Sequence, residues 1–496
     1  MNRSGLRVTL TALITSGAVA LSACSVPRRL EPPALERPAP LGTLQLPTGS
    51  WPKSAWWRIY GDPQLDHLIR LALRDAADLQ LASARVQTAE SAMRVAAAQA
   101  GLSVDGSAQW SRRRLSENGI LPTEFLGIEW YSQADIGVQL RYQLDWWGKR
   151  RATVEAAVGE LRAAAAQADA AKLAIQHAVA DTYFAWLGDQ ARLAVARDAL
   201  AAQERLAAIA QLRVRRGVDL PDQAQAALAQ LAAAREQRAA LEGTARVRLA
   251  GLAALVGVPM DRLPRLAPRP LPAVAQGLPA DASLDLVARR PDIAASRWLV
   301  QTALRRTDVA RAQFLPDLSL TALAGLSSID MDRLFDGGSR VFELTPAVHL
   351  PIFNSGLLEA NYGASRAQLD AAIASYRSTV LSAVREVSSQ ALLAQMLAER
   401  RREQGEQLAA MQQLSASAAS RLRQGVSDAR EQLQAQLRLL SQRDSALQVD
   451  AQALATDLAL VRALGGGYRD PTTDPQTATA SASSSLPPSV ARPDER

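Results

Sequence analysis

Few side chains in this 496-residue sequence are placed to do chemistry. The three histidines, His67, His177 and His349, stand far apart, and none lies in an HExxH run or a His/Asp/Glu cluster with metal-ligand spacing. No GxSxG elbow, Walker loop or GxGxxG is present, and Gly465-Gly466-Gly467 reads as a helix stop. Carboxylates are plentiful, 49 Asp plus Glu, but they alternate with 56 Lys plus Arg along helix-like faces, where acid–base pairing and solvation look alike. Catalysis is therefore not expected, and neither is a metal or a bound cofactor. The one cysteine, Cys24, can build neither a disulfide framework nor a thiolate site. Before it come Arg3, Arg7, an apolar run over 8–21 and the small pair Ser22-Ala23, the three parts of a secretory signal over residues 1–23. That run is too short to span a membrane as a helix.

The bulk numbers agree with an ordered protein. With 48% hydrophobic and 21% charged residues, and a mean hydropathy of −0.07, the sequence is neither grossly disordered nor a polytopic helical membrane protein. The net charge of +7 comes from basic residues interleaved with acids, so nucleic acid is not an expected partner. Aromatics are only 4%, which leaves alanine-rich helix contacts as the main glue.

Proline shows where the supporting elements begin and end. Seven prolines fall between 26 and 53, six between 258 and 280 and five beyond 470, whereas 149–220 and 352–470 have none. Because an interior proline costs a helix about 3 kcal/mol, these gaps permit unbroken helices. The two clear stretches also match one another. At an offset of 208, Arg213-x-Arg215-x-Gly217-Val218 repeats as Arg421-x-Arg423-x-Gly425-Val426, and upstream an offset of 214 aligns Gln87 with Gln301 and Val95 with Val309. Each half reads as a helix, a strand hairpin, a very long helix, a reversal at Gly-Val and a returning helix. The long helices are expected over 149–216 and 357–424, each roughly 100 Å if straight. The competing reading is two ordinary bundles with breaks at Gly159, Gly188, Gly363 or Gly405. The domain plan is then signal 1–23, Pro-rich tether 24–50, first repeat 51–258 with hairpin 102–147, linker 259–280, second repeat 281–465 with hairpin 316–353, and an unstructured tail 466–496.

Within the hairpins, apolar residues alternate at period two: Leu102 to Trp110, Ala134 to Leu144, Leu318 to Leu326 and Phe342 to Ile352. The intervening positions of the first pair, such as Ser103, Asp105, Gln133 and Asp135, suit a wet lumen. Half of the 22 aromatic residues sit in 102–147 and 314–353, in the manner of interfacial girdles. A closed barrel is then the one remaining way across a bilayer, because every backbone polar group in lipid needs a partner. Four strands fall short of the roughly eight that close one, so several copies would have to share it. A soluble four-stranded cap is the alternative.

Four motifs carry a resemblance: Trp56-Trp57-Arg58-Ile59-Tyr60-Gly61-Asp62-Pro63, Leu144-Asp145-Trp146-Trp147-Gly148-Lys149-Arg150-Arg151, Arg289-Arg290-Pro291-Asp292-Ile293 and Pro351-Ile352-Phe353. Together with Leu21-Ser22-Ala23-Cys24, which resembles a lipoprotein lipobox, they are similar to the TolC-like outer membrane factors of the NodT/OprM type. The resemblance covers roughly 51–465. It implies an α+β membrane protein and a homotrimer: a shared twelve-stranded β-barrel in the outer membrane, with long antiparallel coiled-coil helices forming a periplasmic α-barrel. It further implies an exit duct of a tripartite efflux pump. The partners would be a periplasmic adaptor (membrane fusion) protein, an inner-membrane transporter of the RND type and outer-membrane lipid. Cys24 would be acylated, and Ser25 after it favours the outer membrane.

By the same resemblance Gly217, Val218, Asp219 and Leu220, with Gly425, Val426, Ser427 and Asp428, form the periplasmic tip that meets the adaptor. Arg213, Arg215, Arg421 and Arg423 are candidates to pair with nearby acids between neighbouring helices and hold the aperture shut. Arg112-Arg113-Arg114 reads as a solvated loop edge or a contact for lipopolysaccharide phosphates. The rival to a duct is a lipid-anchored periplasmic coiled-coil scaffold without a pore.

Overall fold

The computed structural model describes residues 26–34, 49–116, 127–274, 277–279 and 289–470. Among the described residues, seven α-helices and four strands run in the order α1 Pro63–Asp75, α2 Ala77–Gln99, β1 Ser103–Arg114, β2 Trp130–Leu144, α3 Lys149–Arg215, α4 Pro221–Val256, α5 Pro291–Ala312, β3 Asp317–Ser328, β4 Arg340–His349, α6 Leu357–Arg423 and α7 Ala429–Ala463. The second half repeats the first, as the offsets predict. Both long helices have 67 residues, and the glycines inside them do not break them. Gly159 marks a close approach instead, for a Cβ there would collide with the Thr302 hydroxyl.

The described residues divide into two compact units. One takes in 26–34, 86–164 and 296–376, and its centre is a four-stranded antiparallel sheet in the order β1-β2-β3-β4. The register lines Val104, Leu140, Ala322 and Leu344 in one row and Asp105, Gln139, Leu323 and Glu343 in the next. Alternation therefore separates an even-numbered apolar face from an odd-numbered polar one. The motif 144–151 fixes the junction of β2 with α3. The Asp145 carboxylate accepts from the backbone N–H groups of Arg150 and Arg151, each at 2.9 Å, so it caps the helix. Lys149 pairs with Asp317 at 2.8 Å and the Trp147 indole donates to the Pro316 carbonyl at 2.8 Å, which ties the junction to β3.

The other unit takes in 49–85, 165–295 and 377–470. Its core gathers Leu65, Leu68 and Ile69 of α1, Val179, Tyr183 and Leu187 of α3, Leu252 and Val256 of α4, and Leu458 and Val461 of α7. Trp56, Trp57 and Tyr60, on a short 3-10 turn, pack into it, which is the physical content of the 56–63 motif. Asp62 caps α1 by accepting from the Gln64 N–H at 2.8 Å, with Pro63 preset at the first helical position. Buried hydroxyls find acids: Tyr60 donates to Asp457 and Tyr183 to Asp62, both at 2.7 Å. Burial and these carboxylates push both phenols up, so they stay neutral donors. Gln64 grips both backbone groups of Ala267 at 2.8 and 3.0 Å and so fastens the inter-repeat segment.

Helix pairs in this unit run antiparallel on small seams. Leu193 and Ala196 meet Leu241, and farther along Leu200 and Ala207 meet Leu231; in the second repeat Leu397 meets Val449 and Ala453. Arg192 of α3 pairs with Asp444 of α7 at 2.8 Å, which joins the two repeats.

Candidate functional site

Two features can act on other molecules: the reversals that end the long helices, and the sheet. Each reversal ends its helix with the same hydrogen bonds. Val218 N–H bonds the Arg213 carbonyl at 2.9 Å and Gly217 N–H bonds Val214 at 2.9 Å; in the second copy Val426 bonds Arg421 and Gly425 bonds Leu422, both at 3.1 Å. This is a Schellman stop, which needs a left-handed residue, and Gly217 and Gly425 supply it with φ of 71° and 74°. Their neighbours Val218 and Val426 are exposed, as is Leu220.

The copies differ by one position in where they keep an acid. In the first, Leu220 precedes Pro221 and cannot cap, so Asp219 is left to accept from Arg213 through two bonds of 2.7 and 2.9 Å. In the second, Asp428 is itself the cap, accepting from the N–H groups of Arg430 and Glu431 at 3.0 Å each and from the Arg430 side chain at 2.9 Å. Arg430 also reaches within 4.0 Å of Asp219, so both acids and two arginines form one network across the repeats. The Arg213 bond holds Asp219 below the usual carboxylate value, and the Glu431 backbone bond does the same for Asp428. Ser427, which stands where the first copy has Asp219, has a buried hydroxyl without a hydrogen-bond partner in the described structure.

The four predicted arginines are not equivalent. Arg213 binds within its own turn, and Arg421 pairs with Glu431 across its own hairpin. Arg215 and Arg423 are exposed and make no ion pair among the described residues. The bridge toward the other repeat is Arg430, a residue outside the sequence-derived set. Its signal was present: Asp428 followed by Glu431 has capping-box spacing, which places residue 430 in the first turn beside the cap.

The sheet is open within one chain. β1 and β4 each pair on one side, and their side chains are largely exposed, with Trp110 at 59%, Phe342 at 77% and Val348 at 68%. On the polar face Ser327 donates to Asp135 at 2.6 Å, Gln133 donates to the same carboxylate at 3.0 Å, and Arg141 lies 3.8 Å from Asp105. No described helix is long and apolar enough to cross a membrane. Cys24 lies outside the described residues.

A family model for outer membrane efflux proteins matches residues 68–258 and again 284–466. The chain belongs to this family. It is 32% identical to the multidrug resistance outer membrane protein MdtP of Escherichia coli O6:H1 over 95% of this chain and 98% of that one. It is 31% identical to MdtQ of E. coli O157:H7 over 88% and 93%. Among solved structures, VceC of Vibrio cholerae superposes with a TM-score of 0.77 at 29% identity, covering 84% of this chain and all of that one. The outer-membrane channel OprN gives 0.81 at 26%, covering 90% and 99%. This outer membrane efflux protein therefore shares the long-helix and β-domain architecture of known efflux channels, and the two family matches fall on its two structural repeats.

Arg290 of the 289–293 motif was missed as a fastener of this efflux protein's fold. Its guanidinium is buried and binds Asp292 at 2.8 Å, Glu386 at 3.0 Å and the Ala463 carbonyl at 2.7 Å. Glu386 also accepts from Arg462 at 2.7 Å. Local pattern could not disclose partners separated by 96 and 173 residues.

Proposed function

We propose that this protein is the exit duct of a tripartite efflux system, passively conducting drugs or other toxic small molecules to the cell exterior. One observation carries the reading: a sheet with one apolar face, one hydrogen-bonded polar face and two unpaired edges, which becomes self-consistent when three copies close it into a twelve-stranded cylinder around water. From Ala134 to Leu144 the apolar face of β2 has no charged residue. Those ten steps are about 33 Å along the strand and about 25 Å along a membrane normal at roughly 40° tilt, the height of an outer-membrane apolar band.

The pump would supply energy and selectivity. The Gly-Val reversals, with Asp219, Leu220, Ser427 and Asp428, would receive a periplasmic adaptor that connects to an inner-membrane transporter of the RND type. Acylated Cys24 would anchor the chain in the outer membrane. The segment after it supports this tether: the Pro27 carbonyl accepts from Arg311 at 2.6 Å, and Arg29 lies 3.6 Å from Asp308.

Purified protein tested in planar bilayers should give discrete ion conductance and run as a trimer in detergent. A monomer without conductance would return the pore-free scaffold.

A further inference from the structure

The apolar face of the sheet ends in cations where the strands lie farthest from their helices. Along β1 it reads Val104, Gly106, Ala108, Trp110, then Arg112 and Arg114; β4 enters with Arg340 before Phe342. Arg114 stands opposite Trp130 in the register, and the Arg112 guanidinium carbon lies 5.7 Å from the centroid of that indole. Arg112 and Arg340 thus sit one same-face step, about 7 Å, beyond an aromatic ring. Alternation sends Arg113 to the polar face with Tyr131, so the Arg112-Arg113-Arg114 run is not a single cluster.

All three same-face arginines are exposed. None of the four strands puts a carboxylate on their face: Asp105, Asp135, Asp317 and Glu343 are all on the other. In the neighbouring loop Asp330 is engaged by Arg333 at 3.6 Å. Cations bordering an apolar band, just past its rings and with no strand carboxylate on their face among the described residues, fit anions at headgroup depth. A guanidinium fork matches phosphate oxygens two at a time.

We propose that Arg112, Arg114 and Arg340 bind the phosphates of a phosphorylated glycolipid in the outer leaflet around the barrel. The inference rests on the trimeric duct reading, in which β4 of one copy abuts β1 of the next and brings Arg340 beside a neighbour's Arg112 and Arg114. The lipid then bridges adjacent copies where the sheet is closed between chains.

The test uses full-length protein in mild detergent. It is titrated with bisphosphorylated lipid A, with lipid A stripped of both phosphates and with inorganic phosphate, and binding is read by native mass spectrometry. Bisphosphorylated lipid should bind wild type at least tenfold more tightly than the stripped form. The triple variant Arg112→Gln, Arg114→Gln, Arg340→Gln should lose that preference, and Arg113→Gln should keep it. Inorganic phosphate at millimolar concentration should not compete. Equal affinity of wild type for both lipids overturns the proposal, as does undiminished preference in the triple variant or displacement by free phosphate. If the triple variant fails to assemble, the two-lipid comparison on wild type still decides. Trimer content is measured first: a monomeric wild type sinks the duct reading itself, whereas an intact trimer indifferent to the lipid phosphates sinks only the lipid contact.

Discussion

Arg213 grips Asp219 by two parallel hydrogen bonds, Nε to Oδ2 at 2.7 Å and Nη2 to Oδ1 at 2.9 Å, across the turn that ends the first long helix. A planar fork on a carboxylate holds geometry as well as charge, and Arg430 approaches the same acid from the second repeat. The reversals are thereby latched to each other by one network of ion pairs.

The latch should weaken in acid. Asp219 is held below its ordinary value of 3.8 by Arg213, and Asp428 below the same value by the Glu431 backbone N–H. A depressed folded-state value means the stabilisation is complete above the unfolded value and is lost as pH falls through the folded one. Wild-type conductance in bilayers should stay level from pH 7 to 5 and rise below about pH 3.8, while Asp219→Asn at pH 7 should already show part of that rise. A flat profile in both proteins would separate the network from the aperture.

Among the four predicted arginines the structure separates paired from unpaired. Arg421→Ala breaks a pair with Glu431 and should raise single-channel conductance, whereas Arg423→Ala, which breaks none in the described structure, should leave it near wild type. Equal increases in the two variants would point to net charge instead of pairing. Exposed pairs contribute only about 0–1 kcal/mol each, so neither change should lower thermal stability measurably.

Two glycines in α6 and its turn should respond oppositely. At Gly425 a side chain meets no neighbour within 4 Å, but φ is 74°, and a β-branched residue there is strained by about 1–2 kcal/mol. Gly425→Val should reduce drug export in cells while the purified protein keeps its oligomeric state. Gly405 lies within the helix, also with nothing within 4 Å, and Gly405→Ala should stabilise by about 0.5–1 kcal/mol in thermal melts.

Much of this architecture was legible because its signals are local. Absence of proline over 149–220 and 352–470 forecast the long helices to within a residue, and period-two alternation located all four strands. The Gly-Val turns were legible from their exact duplication at one offset. Partnerships across the chain were not. Tyr60 with Asp457 joins residues 397 apart, and no periodicity encodes such a pair. Gly159 read as a possible helix break because composition cannot tell a flexible glycine from one a neighbouring helix has pressed bare. At the tip the sequence showed which acids were near, but a one-residue shift between copies decided that Asp428 caps a helix and Asp219 holds an arginine.

That account of Gly159 can be tested directly. A Cβ at 159 would strike the Thr302 hydroxyl, which itself lies 3.3 Å from the Ala156 carbonyl. Gly159→Ala should destabilise by about 1–3 kcal/mol in spite of alanine's better helix propensity. Adding Thr302→Ala should recover most of the loss, and a double-mutant cycle by urea unfolding measures the coupling. Additive effects would show that the two helices do not meet there.

The buried Arg290 offers the sharpest comparison of charge with geometry. Burial opposes its protonation, yet hydrogen bonds and the charges of Asp292 and Glu386 prevail and raise its pKa above the ordinary arginine value. By the linkage rule a raised value stabilises at all pH below the unfolded one, so this contribution should be constant from pH 5 to 9. Arg290→Ala strips Glu386 of one of its two arginines and leaves the Ala463 carbonyl without that donor. A loss of about 1–3 kcal/mol is expected, because the acids left behind are partly exposed and Glu386 keeps Arg462. Arg290→Lys keeps the charge but cannot reach Asp292, Glu386 and the carbonyl together, since its three donors diverge from a single nitrogen. It should fall between wild type and alanine in urea unfolding at pH 7. Were lysine to match arginine, charge alone would hold this corner; were it to match alanine, the fork alone would.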